Sequence, residues 1–502
     1  MGKIKSHQKL PTEWNEREIL RDKGQFWTPS WVADAMIAYV SENSDLVFDP
    51  ATGRGAFYEA LLKLKPNILF FGTDVDTEVL KDEIYNHKNC FVEERDFIKD
   101  PPQIKFKSIV ANPPYIRHHR IDEKTKVLLK HLSAKITGNV IDGRAGYHIY
   151  FFIQALNLLE NEGKLAFIMP ADTCEGKFAK NLWKWISGKF YIEAVITFDE
   201  AATPFPKVDT NAIVFLIKNS KPKENLYWIK AKEAYSTDLF NLISSNFRQQ
   251  QFKTIEVIDR KLKEGVATGF SRPQQNHNGF KFHLNDFANV MRGIATGSNE
   301  FFFLTAQQVK ELQIPKEFLK RAVGRTKDVS ESVLTLKDVE ELEKENRPTY
   351  LLSINGHEKL PEAISNYLKL GEEMGLPNRS LIKQRKPWYK MEKRQVPPLL
   401  FAYLGRRNTR FIKNEAGVLP LTGFLCVYPI YNDEEFIDKL WQVLNHPDTL
   451  KNLKLVGKSY GSGAIKVEPR SLNRLPVPEH IVIRFGLHRP YKTNAGQLEI
   501  FR

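Results

Sequence analysis

Apolar residues in the first half of the chain gather into short runs separated by polar, glycine-bearing turns. Leu46-Val47-Phe48, Ile68-Leu69-Phe70-Phe71, Ser108-Ile109-Val110-Ala111, Lys164 to Pro170, Tyr191 to Phe198 and Asn211 to Ile217 read as strands, Ser108 to Ala111 as a buried one. Between them, Ser30 to Tyr39, Tyr58 to Lys65 and Tyr147 to Glu160 carry apolar residues at helical spacing. Strands alternating with helices predict an α/β fold with a doubly wound, mostly parallel sheet.

The ends of these strands hold the candidate chemistry. Asn112-Pro113-Pro114-Tyr115 stops a strand abruptly, because neither proline has an N–H to donate to a ladder. An amide and an aromatic ring are thereby presented where open α/β sheets bind ligands. Asp49 ends an earlier strand and suits a cationic ligand such as the amino group of a methionine moiety. It leads into Ala51-Thr52-Gly53-Arg54-Gly55, whose glycines permit close backbone approach. That turn lacks the third glycine of the dinucleotide fingerprint, and no Gly-Lys-Ser/Thr follows it. Asp74 stands about 20 residues further on, where an acid reaches ribose hydroxyls in nucleotide-binding folds. Asp96 and Phe97 end another segment, the acid placed to accept from an adenine amino group and the ring to pack on it.

Asn-Pro-Pro-Tyr in this setting resembles motif IV of the amino-methyltransferases, which act with S-adenosylmethionine. Gly24-Gln25-Phe26-Trp27-Thr28-Pro29, ahead of the glycine turn, is similar to motif X. Motif X, the glycine turn, the acids and motif IV, in that order before a long C-terminal region, give a chain that resembles γ-class adenine-N6 DNA methyltransferases of type II restriction–modification systems. The resemblance implies a seven-stranded class I methyltransferase sheet. It implies Thr28 on the cofactor's carboxylate, Asp49 and the turn Ala51, Gly53, Gly55 on its methionine end, Asp74 on its ribose, and Asp96 with Phe97 on its adenine. Asn112 and the Pro113 carbonyl would accept the two N6 hydrogens of the target base, while Tyr115 and Phe205 stack on its two faces. Stacking is worth about 1–3 kcal/mol per base, against a few kcal/mol for unstacking the base from the duplex. Arg54, a bulky cation in that turn, is expected to point away from a sulfonium ligand.

The 502-residue chain has room for about two to four domains. The net charge is +14. Residues 1–220 hold 29 basic and 29 acidic side chains, so the whole excess lies in residues 221–502. A neutral catalytic domain over 1–220 and a basic, mixed α/β recognition domain for double-stranded DNA over 221–502 are expected, with DNA in the cleft between them. Arg117 near motif IV, and Arg292, Lys386, Trp388, Arg406, Arg407 and Arg410 in basic, aromatic-bearing stretches, are candidate DNA contacts. Gln307 to Glu345 reads as surface helices. Three cysteines without ligand spacing predict neither disulfides nor a metal site. No apolar run of ~18 residues predicts a membrane span, and a cytoplasmic monomer is expected. Only residues 1–23 precede the motif X segment, so a cognate restriction endonuclease is expected to be a separate protein. Cytosine-N4 methylation, glutamine-N5 methylation of a protein, and an inactive specificity factor are the rival readings.

Overall fold

The computed structural model describes residues 26–174, 179–205, 211–248, 251–271, 280–356, 359–402, 409–459 and 465–487. Gly24, Gln25, Arg406 and Arg407 lie outside them. The chain divides into two compact units, Met1–Gln275 with Tyr460–Ser462, and Asn276–Ser459 with Gly463–Arg502.

The first unit is built on one nine-stranded sheet: β1 (Leu46–Asp49), β2 (Leu69–Asp74), β3 (Cys90–Glu94), β4 (Phe106–Ala111), β5 (Leu159–Pro170), β6 (Tyr191–Phe198), β7 (Ala212–Lys218), β8 (Asn225–Ala231) and β9 (Ile255–Lys261). Their order is β3-β2-β1-β4-β5-β7-β6-β8-β9. The first five run parallel, while β7 is antiparallel to both neighbours.

The dense apolar runs follow from this arrangement. Alternate residues of one strand enter different cores. Phe48, Ile109, Leu165 and Phe167 join the cluster under the helices Tyr147–Asn157 and Ala179–Lys189. Val47, Val110, Ala166 and Ile168 join the cluster holding Trp31, Met36 and Ile37 of the helix Ser30–Val40. A strand covered on both faces has no polar alternation to display.

The sheet has nine strands rather than seven, and it does not stop at Ser220. β8 pairs with β6 from Ala194↔Tyr227 to Phe198↔Ala231, and β9 pairs with β8. Trp228 is buried and donates to the Phe270 carbonyl at 2.8 Å. Arg260 is fully buried, its charge met by Glu264, with donations to Thr268 Oγ1 at 2.8 Å and the Gly269 carbonyl at 3.1 Å. The compact unit therefore ends near Gln275, and Asn219 to Lys223 is a turn within the sheet.

In the second unit, a five-stranded sheet runs Ala288–Arg292, Phe424–Pro429, Leu399–Ala402, Arg410–Asn414, Val333–Leu334. The helix Glu434–Asn445 packs Leu440, Val443 and Leu444 into the same core as Leu399 and Phe411. Phe303–Leu304, Tyr350–Leu352, Leu319–Val323 and Leu419–Pro420 form a smaller sheet. The expected surface helices appear at Ala306–Glu311 and Leu336–Lys344, but a strand with buried Leu319, Ala322 and Val323 intervenes.

Candidate active site at the reversal of strand order

From β1 the sheet continues one way through β2 to β3, and from β4 the other way through β5. In open α/β sheets, ligands bind in the crevice outside the carboxyl ends of the strands at such a reversal, here those of β1 and β4. Asp49 ends β1, and Asn112 follows the last residue of β4.

Asp49 is fully buried. Its Oδ1 accepts from the Ala51 N–H at 3.1 Å, and its Oδ2 makes no hydrogen bond. Burial first, then the charge of Asp74, hold this carboxyl well above the usual range. Asp74 Oδ2 accepts from Gly53 N–H at 2.9 Å and Oδ1 from Asp76 N–H at 3.0 Å, while burial also raises its pKa. The two acids thus brace the glycine turn from below and behind.

The turn needs its glycines for two reasons. Gly53 and Gly55 have φ of +54° and +77°, where a side chain is strained. A Cβ on Gly55 would also stand 2.8 Å from Ile84 Cγ2. Tyr85 clamps the turn: its hydroxyl donates to the Gly53 carbonyl at 2.8 Å and meets Thr52 Oγ1 at 3.0 Å. Arg54 meets the Trp27 ring, 4.7 Å from its centroid.

Asn112 Nδ2 donates to the Phe26 carbonyl at 2.5 Å and to Thr28 Oγ1 at 3.1 Å. A carbonyl can only accept, so the amide nitrogen must face Phe26 and the amide oxygen must face the other way. That oxygen is buried and makes no hydrogen bond. Thr28 accepts from Asn112 and keeps its own proton to donate, so the residue expected on the cofactor also steers the amide. Pro113 is buried beside it.

Three rings collect here. Tyr115 lies 5.2 Å from Phe26 at 34°, and 6.1 Å from Phe205 at 82°; Phe26 and Phe205 are 5.7 Å apart. A base sandwiched between parallel rings needs about 7–8 Å, two carbon contact distances. Tyr115 and Phe205 meet edge to face instead, and Phe205 is only 4% exposed. The expected two-faced slot is not formed in this conformation. Behind Tyr115 stands His148, its ring 5.9 Å away and edge-on, its Nε2 3.1 Å from Thr173 Oγ1. Burial pushes the His148 pKa down to about 3 and the Tyr115 phenol well up.

Other expected residues lie differently. Asp96 caps its own turn, accepting from Ile98 N–H at 3.0 Å and Lys99 N–H at 3.1 Å, with Lys99 Nζ at 3.1 Å. Phe97 is 1% exposed and packs between Phe48 and Phe151, so it offers no ring face to an adenine. Trp388 is a packing residue: it contacts Phe301, donates to Glu372 at 3.2 Å, and stands where a Cβ on Gly371 would reach it at 2.5 Å. Arg410 donates to the carbonyls of Glu331 and Val329 and ties strand to loop. Arg117, Arg292 and Lys386 are exposed. Among the described residues no group of three or more His, Cys, Asp or Glu could hold a metal, and no helix is long and apolar enough to cross a membrane.

Sequence spacing missed Phe26, Tyr85 and His148. Phe26 was inside the motif X segment, which marked the place but not its carbonyl; nothing local distinguishes the other two.

Known proteins share this layout. Residues 55–205 match the family model of the Eco57I restriction-modification methylase, and residues 273–490 match that of the type II methyltransferase M.Eco57I C-terminal domain. The chain is 27% identical over 468 residues to the type II methyltransferase M.AccI of Acinetobacter calcoaceticus, covering 90% of this chain and 84% of that one. It is 22% identical over 475 residues to the type II methyltransferase M.XamI of Xanthomonas campestris pv. amaranthicola, covering 91% and 85%. The type IIL restriction-modification enzyme MmeI, solved in complex with DNA, shares the fold with a TM-score of 0.51 at 12% identity over 92% of this chain, which spans 64% of that one. With both family models matched in order, the chain belongs to the type II methyltransferases of restriction–modification systems.

Proposed function

We propose that the chain methylates N6 of an adenine rotated out of double-stranded DNA, as a monomeric modification enzyme acting beside a separate cognate endonuclease. The observation that carries this reading is the Asn112 amide, whose nitrogen is tied to Phe26 and whose buried oxygen is left without a donor. An exocyclic amino group supplies such a donor. Accepting from it localises the nitrogen's lone pair, which in the free base is delocalised into the ring.

S-adenosylmethionine fits the acids at the neighbouring strand end and supplies an electrophilic methyl group. The unpartnered Asp49 Oδ2 would hold its amino group, Thr28 its carboxylate and Asp74 its ribose, with the Ala51–Gly55 turn closing over the methionine end. For Asp96 to reach the adenine its Oδ2 would have to leave Lys99. Tyr115 offers a ring face for the target base; the Phe205 face requires that ring to turn or the pair to part. The surplus proton on the methylated nitrogen is strongly acidic and leaves to water.

Genomic DNA from cells expressing the protein tests the reading. N6-methyladenine at one sequence context is expected, and it should vanish with Asn112→Ala while purified variant still binds S-adenosylmethionine in calorimetry. N4-methylcytosine in its place overturns the adenine assignment, and methylation near wild-type level by Asn112→Ala removes the amide from the chemistry.

A further inference from the structure

Two stretches of the second unit that stand far apart in sequence, Arg292 to Phe301 and Lys383 to Lys390, meet in the fold. Arg385 Nη2 donates to the Ala295 carbonyl at 2.7 Å, and its guanidinium lies 5.6 Å from the Phe302 ring centroid. Gly297, with φ of +82°, brings the loop against Ile382; a Cβ there would stand 2.7 Å from Ile382 Cγ1. Arg292, at the end of the strand Ala288–Arg292, pairs with Glu392 at 3.8 Å, and Arg394 pairs with the same carboxylate. Glu392 also acts on the charge of Arg385. Two guanidinium groups therefore pair with one carboxylate, whose charge also reaches a third.

Their donors are not all used. Arg385 Nη1 and Arg394 Nε are buried and make no hydrogen bond. The Ser298 hydroxyl, on the loop that Arg385 holds, is in a side chain 6% exposed and makes none either. Arg394 Nη1 faces only the Met291 sulfur, at 3.2 Å, a weak acceptor. Guanidinium N–H groups withdrawn from water without acceptors are costly, and an anion that supplies oxygens there offsets that cost.

We propose that Arg292, Arg385 and Arg394, with the Ser298 hydroxyl, bind one backbone phosphate of DNA. This rests on the reading of the chain as a DNA methyltransferase. Three cations and one carboxylate leave a local excess of positive charge that a neutral base edge would not offset and a phosphodiester does. Its two non-bridging oxygens match the forked donors of arginine. Glu392 sets the strength of the site by withholding part of that charge in the absence of DNA.

Salt titrations of the full-length protein with a short DNA duplex of arbitrary sequence test this. Arg385→Gln and Arg394→Gln should each weaken binding alike on any sequence and lower the log–log salt slope by part of the roughly 0.9 that one neutralised phosphate contributes. Glu392→Gln should act in the opposite direction, tightening binding at low salt and steepening the slope, which loss of a merely structural ion pair does not do. Thermal melting reports whether each variant folds. Where an arginine variant does not, Ser298→Ala and Glu392→Gln carry the test. Wild-type protein that fails to bind DNA overturns the methyltransferase reading itself. Wild type that binds, with variants on the same salt line, overturns the phosphate site alone. Relaxed base preference with an unchanged slope reassigns the arginines to base edges and overturns it too.

Discussion

Asn112 is held by its nitrogen and used by its oxygen, which makes aspartate a poor substitute despite its shape. In Asn112→Asp a second oxygen would face the Phe26 carbonyl, acceptor against acceptor, unless it took up a proton. Turnover should fall as far as in Asn112→Ala, on the order of 10²–10³-fold by analogy with removing one preorganised polar contact, while calorimetry finds cofactor affinity little changed. Activity preserved in the aspartate variant would mean that the Phe26 contact does not aim the amide. Asp49 gives a pH signature. Burial raises its folded pKa, so its contribution to stability is complete below the unfolded value of about 3.9 and is lost as pH rises through the folded value. A cationic amino group at Oδ2 favours the ionised form, so S-adenosylmethionine affinity should strengthen as pH climbs through the same window. Asp49→Asn should flatten that dependence. A pH-independent wild-type affinity would take Asp49 out of the cofactor site. Asn112 and Asp49 were legible because a strand end followed by proline or glycine fixes where a side chain emerges. Phe97 and Trp388 were misread because an aromatic beside polar neighbours looks the same in sequence whether its ring enters a core or lines a groove.

At the scale of elements, the glycine turn and its clamp form one unit. Tyr85→Phe leaves the Gly53 carbonyl and the Thr52 hydroxyl without their partner, a loss of about 1–3 kcal/mol for groups away from water. Thermal denaturation should show it, and cofactor affinity should fall with it because the turn loosens. A variant as stable and as tight-binding as wild type would reduce Tyr85 to a packing ring. Gly55→Ala should cost more, since it meets both the positive φ and Ile84. The strands themselves were readable: β1 and β6 begin and end where the apolar pattern places them. β8 and β9 were not, because a polar five-residue stretch reports that the chain is exposed there, and not whether the next strand returns to the same sheet. Tyr85 was hidden for a related reason; it reaches back 32 residues to Gly53, and no local spacing encodes that contact.

The molecule as a whole divides later than its composition implies. Residues 1–275 carry 39 basic and 35 acidic side chains and residues 276–502 carry 35 and 25, so the excess is +4 and +10 instead of lying entirely in one half. A fragment ending at Ser220 would lose Leu226, Trp228, Ile229 and Phe270, all buried. At about 1.5–3 kcal/mol each, that approaches the whole stability of a domain, about 5–15 kcal/mol. It would also bare the edge of β6. Residues 1–275 should therefore express as a soluble, cooperatively melting fragment that binds cofactor, and residues 1–220 should not. Equal melting of the two fragments would show that β8 and β9 are ornamental.

The tie between Phe26 and Asn112 spans 86 residues, so the amide depends on a segment that the cofactor acids do not use. The pairing of β1 with β4 and the contacts of Asp49 do not involve Phe26, yet its carbonyl is what fixes which end of the amide faces inward. A chain clipped just after Phe26 would thus keep its cofactor acids and lose the aim of its amide. Incompleteness is converted into inactivity, and not into careless marking of the genome.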